Sequence, residues 1–248
     1  MDYKLTVLVS LYKSGKFIKH FLKQIKKQTI FSEIEWYFID ANSPDNEYEL
    51  LLEEQKKHKN IRIKKTMQRV SLYRAWNLGI KKARADLISN LNVDDVVSDD
   101  YYETMVNEME KRKDVDVIYS DLIAFKEPNQ TFQEATESGV NFITPKFCDL
   151  VSIFYFGAPH NCPVWKASIH KEKGIYYDES FESAGDKDFF IRCNLSGLKF
   201  KKINKKIAGY YANPNGISTD EHGRSELSHE EETIIQKSYG KFLKKYGL

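Results

Sequence analysis

Two adjacent carboxylates, Asp94 and Asp95, stand in the segment Leu91-Asn92-Val93-Asp94-Asp95, directly after the apolar run Leu87-Ile88-Ser89-Asn90. Acidic side chains at the end of a buried strand suit a core poorly. They are well placed to hold a divalent cation against a diphosphate. Mg²⁺ and Mn²⁺ prefer carboxylate oxygen and keep waters and ligand phosphates, so one or two protein carboxylates suffice. Asp94 is the candidate ligand, and Asp95 either supports it or orders the loop; the alternative is a solvated turn. Asp99 and Asp100 open a helix instead, where acidic side chains complement the dipole by about 0.3–1 kcal/mol each.

A second constellation is Gly185-Asp186-Lys187-Asp188-Phe189-Phe190-Ile191-Arg192. Asp188 and Arg192 are four residues apart and can pair on one helix face. Asp186 then remains unpartnered at a helix start. A general base needs reach, an accessible lone pair and an ionised state at working pH, which makes Asp186 the catalytic candidate. Tyr12 and Asp40 close neighbouring strands and suit a nucleoside, one stacking on the base and the other accepting a hydrogen bond. Asp40 could equally cap the turn at Asn42-Ser43. Arg69 and Arg74 flank a helix start and could meet phosphate, although Arg74 fits a solvated helix end. His222 could complete a metal shell or simply be solvated. His160 and Cys162 bracket Asn161, but no nucleophile elbow or family-specific cysteine signature supports a hydrolase pairing.

Alternating elements must position these groups. Leu5–Ser10 reads as a buried strand, followed by a helix with Phe17, Ile18, Phe21, Leu22 and Ile25 on one face. A strand at Glu35–Asp40, a helix from about Glu47 to His58 and a strand at Ile61–Lys64 follow. Ser71 caps a helix to about Ala83, and the strand at Leu87 leads into the acidic loop. A helix to about Lys111 and a strand over Val115–Ser120 complete the first half. This order predicts a parallel, doubly wound sheet with its ligand at the carboxyl ends of the strands. In the second half, residues 126–145 read as a polar, irregular, acceptor-facing loop. A short helix is expected over Trp165–Lys171 and another from Ala184 to Ser196, ending at Gly197. Strands at Lys199–Ile203 and Ile207–Tyr211, a flexible turn-rich segment over Asn213–Gly223 and a C-terminal helix follow.

The 38 basic and 36 acidic residues leave a net charge of +2, which argues against binding a nucleic-acid backbone. Cys148, Cys162 and Cys193 are odd in number and widely spaced, as expected for reduced thiols in a cytosolic compartment. No apolar run approaches the ~20 residues that span a bilayer, and the N-terminus lacks a signal-peptide profile. No Gly-x-Gly-x-x-Gly follows a strand, which argues against a simple dinucleotide-binding dehydrogenase. The expectation is a cytoplasmic protein.

Taken in order, Val7-Leu-Val-Ser-Leu-Tyr12, Gln28-Thr29, Phe38-Ile-Asp40-Ala-Asn-Ser-Pro-Asp45, Trp76-Asn-Leu-Gly-Ile80, Leu91-Asn-Val-Asp-Asp95 and Gly185-Asp-Lys-Asp-Phe-Phe-Ile-Arg192 resemble a family 2 glycosyltransferase. The resemblance covers residues 4 to about 211. It implies an α/β GT-A fold: a Rossmann-like, mostly parallel central sheet flanked by helices, with a C-terminal acceptor-side region. One domain over 1–248 is implied, with about 1–120 binding the nucleotide-sugar and about 121–248 holding the acceptor and the base. The implied reaction is inverting transfer from a UDP-, GDP- or dTDP-sugar to a hydroxyl of a glycan or lipid-linked glycan, in polysaccharide biosynthesis. Asp186 matches the catalytic base. Ser10, Tyr12, Asp40, Asn42, Arg69, Asn92 and Asp94 form the donor-binding set, with Asn92 near the ribose. Asp94 would hold Mn²⁺ or Mg²⁺; His222, from the residue reading above, is the added candidate metal ligand.

Three positions depart from the family's pattern. Asn92 replaces the usual first aspartate of the metal motif, Gly185 a glutamate before the base, and Trp76 an arginine before Asn77. Pro163-Val-Trp-Lys-Ala-Ser168 and Tyr176-Tyr-Asp-Glu179 still resemble the acceptor-side segment. Two other readings compete. A sugar-1-phosphate nucleotidyltransferase needs a Gly-rich phosphate loop after the first strand, where only Gly15 occurs; a non-catalytic nucleotide- or glycan-binding protein has no need of Asp186. The C-terminal helix carries Lys237, Lys241, Lys244 and Lys245 beside aromatic residues. It could touch the anionic inner face of a membrane or pack as an amphipathic helix with a solvated lysine face.

Overall fold

The computed structural model describes residues 2–146, 148–156, 159, 161–220 and 223–245. Its N-terminal half is built from strands with both faces covered. β1 (Leu5–Leu11) is buried almost throughout, and β2 (Ile34–Asp40) entirely so. Alternate side chains enter opposite layers, as the pleat requires. Val7, Val9, Trp36 and Phe38 face one core, and Leu8, Tyr37 and Ile39 the other. Between these strands, α1 (Gly15–Ile25) turns Phe17, Ile18, Phe21, Leu22 and Ile25 inward.

After β2 come α2 (Glu47–Lys57), β3 (Ile61–Lys65), α3 (Leu72–Ile80) and β4 (Leu87–Asn90). The Ser71 hydroxyl accepts from Arg74 N and caps α3. That helix ends at Ile80, a turn short of the expected Ala83. β3, β2, β1 and β4 lie side by side and run parallel. The expected doubly wound arrangement is therefore present.

The acidic loop leads to β5 (Val96–Val97), α4 (Tyr101–Lys111) and β6 (Val117–Phe125). Residues 126–145, expected to be irregular, hold α5 (Phe132–Ser138) and β7 (Val140–Phe142). Thr131 and Glu134 form a capping box that starts α5, a signature readable in Thr-x-x-Glu. Next come α6 (Leu150–Phe156), β8 (Val164–Lys166) and α7 (Ser168–Lys171). Trp165 thus lies in a strand rather than the expected helix. It pairs with Ile88 on one side and Val117 on the other, antiparallel to both, and these ladders outweigh local preference.

α8 (Gly185–Leu195) ends as anticipated, with Gly197 at φ +76°. The two strands expected over 199–211 are one, β9 (Phe200–Tyr211), parallel to β6 with a register shift near Ser120–Asp121. The turn-rich segment contains a small antiparallel pair, β10 (Thr219–Asp220) and β11 (Gly223–Arg224). Last, α9 (Glu226–Lys245) buries Ser228, Glu231, Ile235 and Leu243 and exposes Lys237, Lys241 and Lys244. The main sheet runs β3-β2-β1-β4-β8-β6-β9-β5, with β7 on β6. The three cysteines are buried and free. Among the described residues no helix is long and apolar enough to cross a membrane.

Candidate active site

The carboxyl ends of β1 and β4 open into a cavity of about 480 Å³. Ser10, Tyr12, Arg69, Asn92 and Asp94 stand on its walls, together with Tyr210, Tyr211 and Asn213. The guanidinium of Arg69 lies 4.6 Å from the Tyr12 ring centre, within cation–π range. The backbone N–H groups that follow β1 are already engaged. Tyr12 N donates to Ser14 Oγ at 3.1 Å, Lys13 N to Ser43 Oγ at 2.9 Å, Ser14 N to Glu47 Oε1 at 2.6 Å and Gly15 N to Asp45 Oδ2 at 3.1 Å. This loop is tied down by side chains and is no phosphate cradle.

Asp40 and Asn42 flank Ala41, which lines the cavity, but neither is among the lining residues. Asp40 is 0% exposed, and its Oδ1 accepts from Ser43 N at 2.7 Å. Its Oδ2 has no hydrogen bond, with Lys65 Nζ at 3.7 Å. Asn42 is exposed at φ +61°, a left-handed conformation that Asn tolerates.

In the acidic loop the two aspartates have separate tasks. Asp95 is buried, and its Oδ2 accepts from Asn92 Nδ2 at 3.0 Å and Asn161 Nδ2 at 2.9 Å. Its Oδ1 accepts from Tyr211 N at 2.9 Å. Asp95 therefore orders the loop and ties it to β9. Burial and the neighbouring Asp94 push its carboxyl well above the usual range. Asp94 is half-buried on the cavity wall, where Asn213 Nδ2 donates to its Oδ2 at 3.2 Å. Burial raises its pKa too.

Among the described residues no three His, Cys, Asp or Glu side chains gather as a metal cage. A single accessible carboxylate facing a cavity still fits a hard cation that takes its other ligands from phosphate and water. His222 lies outside the described residues, as does His160. Cys162 is buried, and burial pushes its thiol up to about 12, so it is no thiolate nucleophile.

Asp186 opens onto a second cavity of about 300 Å³. The two cavities meet, since Leu72, Asn92, Tyr210, Ser218 and Thr219 line both. Asp186 sits in the first turn of α8, with Oδ1 accepting from Lys187 N at 2.8 Å. Burial raises its carboxyl above the ordinary range. Asp188 is spoken for, as expected: Arg192 donates to its Oδ2 at 2.8 and 2.6 Å. Two departures from the family pattern also find their setting. A Cβ on Gly185 would meet the Tyr73 ring at 2.6 Å, so that ring occupies the side-chain space. Trp76 forms part of the second cavity's wall. Sequence spacing offered no signal for Tyr73, Asn161, Tyr210 or Asn213 at this site, because each arrives from a distant segment.

Residues 6–169 match the model of glycosyl transferase family 2, and the chain belongs to that family. Glycosyltransferase GlyG of Streptococcus pneumoniae is 26% identical over 132 residues, or 53% of this chain and 43% of GlyG. S. aureus TarS 1–349 in complex with UDP superimposes with a TM-score of 0.69 at 17% identity, covering 86% of this chain and 61% of that 1–349 chain; TarS 1–349 has also been solved with UDP-GlcNAc. The mannosyltransferase PcManGT from Pyrobaculum calidifontis, in complex with GDP-Man and Mn²⁺, gives 0.63 at 14% identity, covering 87% of this chain and 59% of that one. The fold is GT-A. The chain spans less than two thirds of each of these relatives.

Proposed function

We propose that this chain transfers a sugar from a nucleotide-diphosphate donor to an acceptor hydroxyl, inverting the anomeric configuration. The observation that carries the reading is the junction of the two cavities, with Asp94 on the wall of one and Asp186 on the wall of the other. Residues of about 1–120 bind the donor, and about 121–248 shape the acceptor site and carry the base. Tyr12 and Arg69 receive the nucleoside and its phosphates. Asp40, fully buried behind Ala41, serves the donor wall by ordering the turn after β2 through Ser43 N. Asn42 orders the same turn beside Ala41, and Ser10 and Asn92 complete the floor.

Asp94 would hold Mn²⁺ or Mg²⁺ at the donor site. When bound, such a cation supplies Lewis-acid stabilisation of the departing diphosphate. Asp186 accepts the proton of the acceptor hydroxyl as its oxygen attacks the anomeric carbon. The bond to the diphosphate breaks on the opposite face. A raised carboxyl pKa favours this role, since a stronger base takes the proton more readily at neutral pH.

Trp76 Nε1, Tyr177 Oη and Ser183 Oγ are buried without hydrogen-bond partners, and all three residues line the Asp186 cavity. The aromatic faces of Trp76 and Tyr177 on this wall, beside Ser183, suit packing against a sugar ring of a glycan acceptor. The engaged amides of residues 12–15 count against a nucleotidyltransferase phosphate loop. The packed face of α9 favours a structural helix over a membrane contact.

The test is thermal stabilisation by UDP, GDP and dTDP, each with and without Mn²⁺, followed by transfer from the matching sugar nucleotide. A ligand that binds only the folded state raises its stability by mass action. Expected is stabilisation by one nucleotide, enhanced by Mn²⁺; no response to any nucleotide would sink the reading.

A further inference from the structure

The segment Glu182-Ser183-Ala184 delivers the chain into α8 and so carries Asp186 to its cavity. Backbone N–H groups at a helix start lack intrahelical partners. Here three in succession donate to one distant carboxylate, that of Glu231 in α9. Glu182 N reaches Oε1 at 2.6 Å, while Ser183 N and Ala184 N reach Oε2 at 2.8 and 2.7 Å. Glu231 is only 6% exposed, and hydrogen bonds to an ionised acceptor are stronger than neutral ones.

Other contacts hold the same segment. From α3, the Tyr73 ring packs on Gly185, and its hydroxyl donates to Ser183 O at 2.5 Å. From α9, Tyr239 donates to Asp188 Oδ1 at 2.6 Å, and Glu232 lies 3.5 Å from Lys187 Nζ. Asp186 accepts a local hydrogen bond from Lys187 N. Its direction therefore follows the backbone that Glu231 fixes.

Resting on the glycosyl-transfer reading, we propose that Glu231 is a positioning residue for Asp186. It acts through the 182–184 amides, so that the last helix of the chain completes the catalytic half of the site. It touches neither donor nor acceptor. Removing it frees the loop and lets Asp186 leave its place beside the cavity junction.

The experiment compares the full chain with Glu231→Ala and Glu231→Gln, using UDP-GlcNAc and GDP-Man as donors and reading nucleoside diphosphate release. A misplacement of about 1 Å can cost about 10²-fold in rate, and Glu231→Ala is expected to lower kcat by that order. The nucleoside diphosphate Kd, from calorimetry, should stay within about twofold, because Glu231 lines neither cavity and Glu182 is the one residue of its 182–184 segment on the donor wall. The acid limb of kcat should also move to lower pH, because Asp186 released into water loses the burial that raises its pKa. Glu231→Gln keeps the volume and one acceptor oxygen, so it should restore part of kcat; it carries the test if the alanine variant does not fold. A purely structural role would lower Tm while leaving kcat per donor-binding site and the acid limb unchanged, and that result overturns the proposal. If wild type releases no nucleoside diphosphate from either donor, the transfer reading falls and takes this one with it. Wild-type turnover with unaffected variants removes this inference alone.

Discussion

The side-chain amide of Asn92 donates to Asp95 Oδ2 at 3.0 Å, so the residue that departs from the metal motif serves as the donor that settles a buried carboxylate. An aspartate at 92 would place a third acid beside Asp94 and Asp95 and remove that donor. Asp95 Oδ2 would keep only Asn161, so Asn92→Asp should destabilise the protein by about 1.5–3 kcal/mol near neutral pH, the worth of one hydrogen bond to a charged group. The added carboxyl would have a raised folded pKa. Its contribution to stability is thus fully present below the unfolded pKa and lost as pH rises through the folded one. Denaturant titrations at pH 4.5 and 7.5 check this: the deficit should be smaller at the lower pH, and an equal deficit at both would contradict it.

Wild-type activity should show an acid limb above the ordinary aspartate value. Burial raises Asp94 and Asp186 above 3.8, and both must be ionised, one to hold a cation and the other to accept a proton. Turnover should fall as pH drops through these raised values. A kcat/KM profile flat down to pH 4 would argue against both assignments.

Asp186→Asn should abolish transfer while leaving the donor site intact. Loss of a positioned base typically costs about 10²–10⁴-fold. The nucleoside diphosphate Kd should be unchanged, because Asp186 does not line the larger cavity. Unchanged turnover would remove Asp186 from the mechanism; a collapse of nucleotide binding would recast it as structural.

Gly185→Ala should be costly for a stated steric reason. The new methyl would sit 2.6 Å from the Tyr73 ring, and overpacking of this kind costs about 1–3 kcal/mol. Pairing it with Tyr73→Leu should recover part of that loss, since the clash belongs to the pair. Strict additivity of the two changes in chemical denaturation would show that the ring is not the obstacle.

Much of this molecule was legible along the chain. The apolar runs of β1 and β2 and the inward stripe of α1 announce themselves, because burial on a strand or helix repeats every few residues. The Asp188–Arg192 pair is local for the same reason, as is the placing of Tyr12 and Asp94 at strand ends. Other features needed the tertiary structure. Trp165 is a strand residue because Ile88 and Val117 flank it. Asp40 lies behind the cavity wall because the turn after β2 folds back on it. Asp95 became the loop's anchor and Asp94 its cavity-facing carboxylate only when Asn161 and Tyr211 arrived from far along the chain. Glu231 reaches the amides ahead of Asp186 in the same way. Sequence determined which side chains could do the chemistry and the period on which they fold. Tertiary structure decided which were consumed as hydrogen-bond partners and which were left facing a cavity, because a buried polar group is satisfied by whatever the fold brings to it.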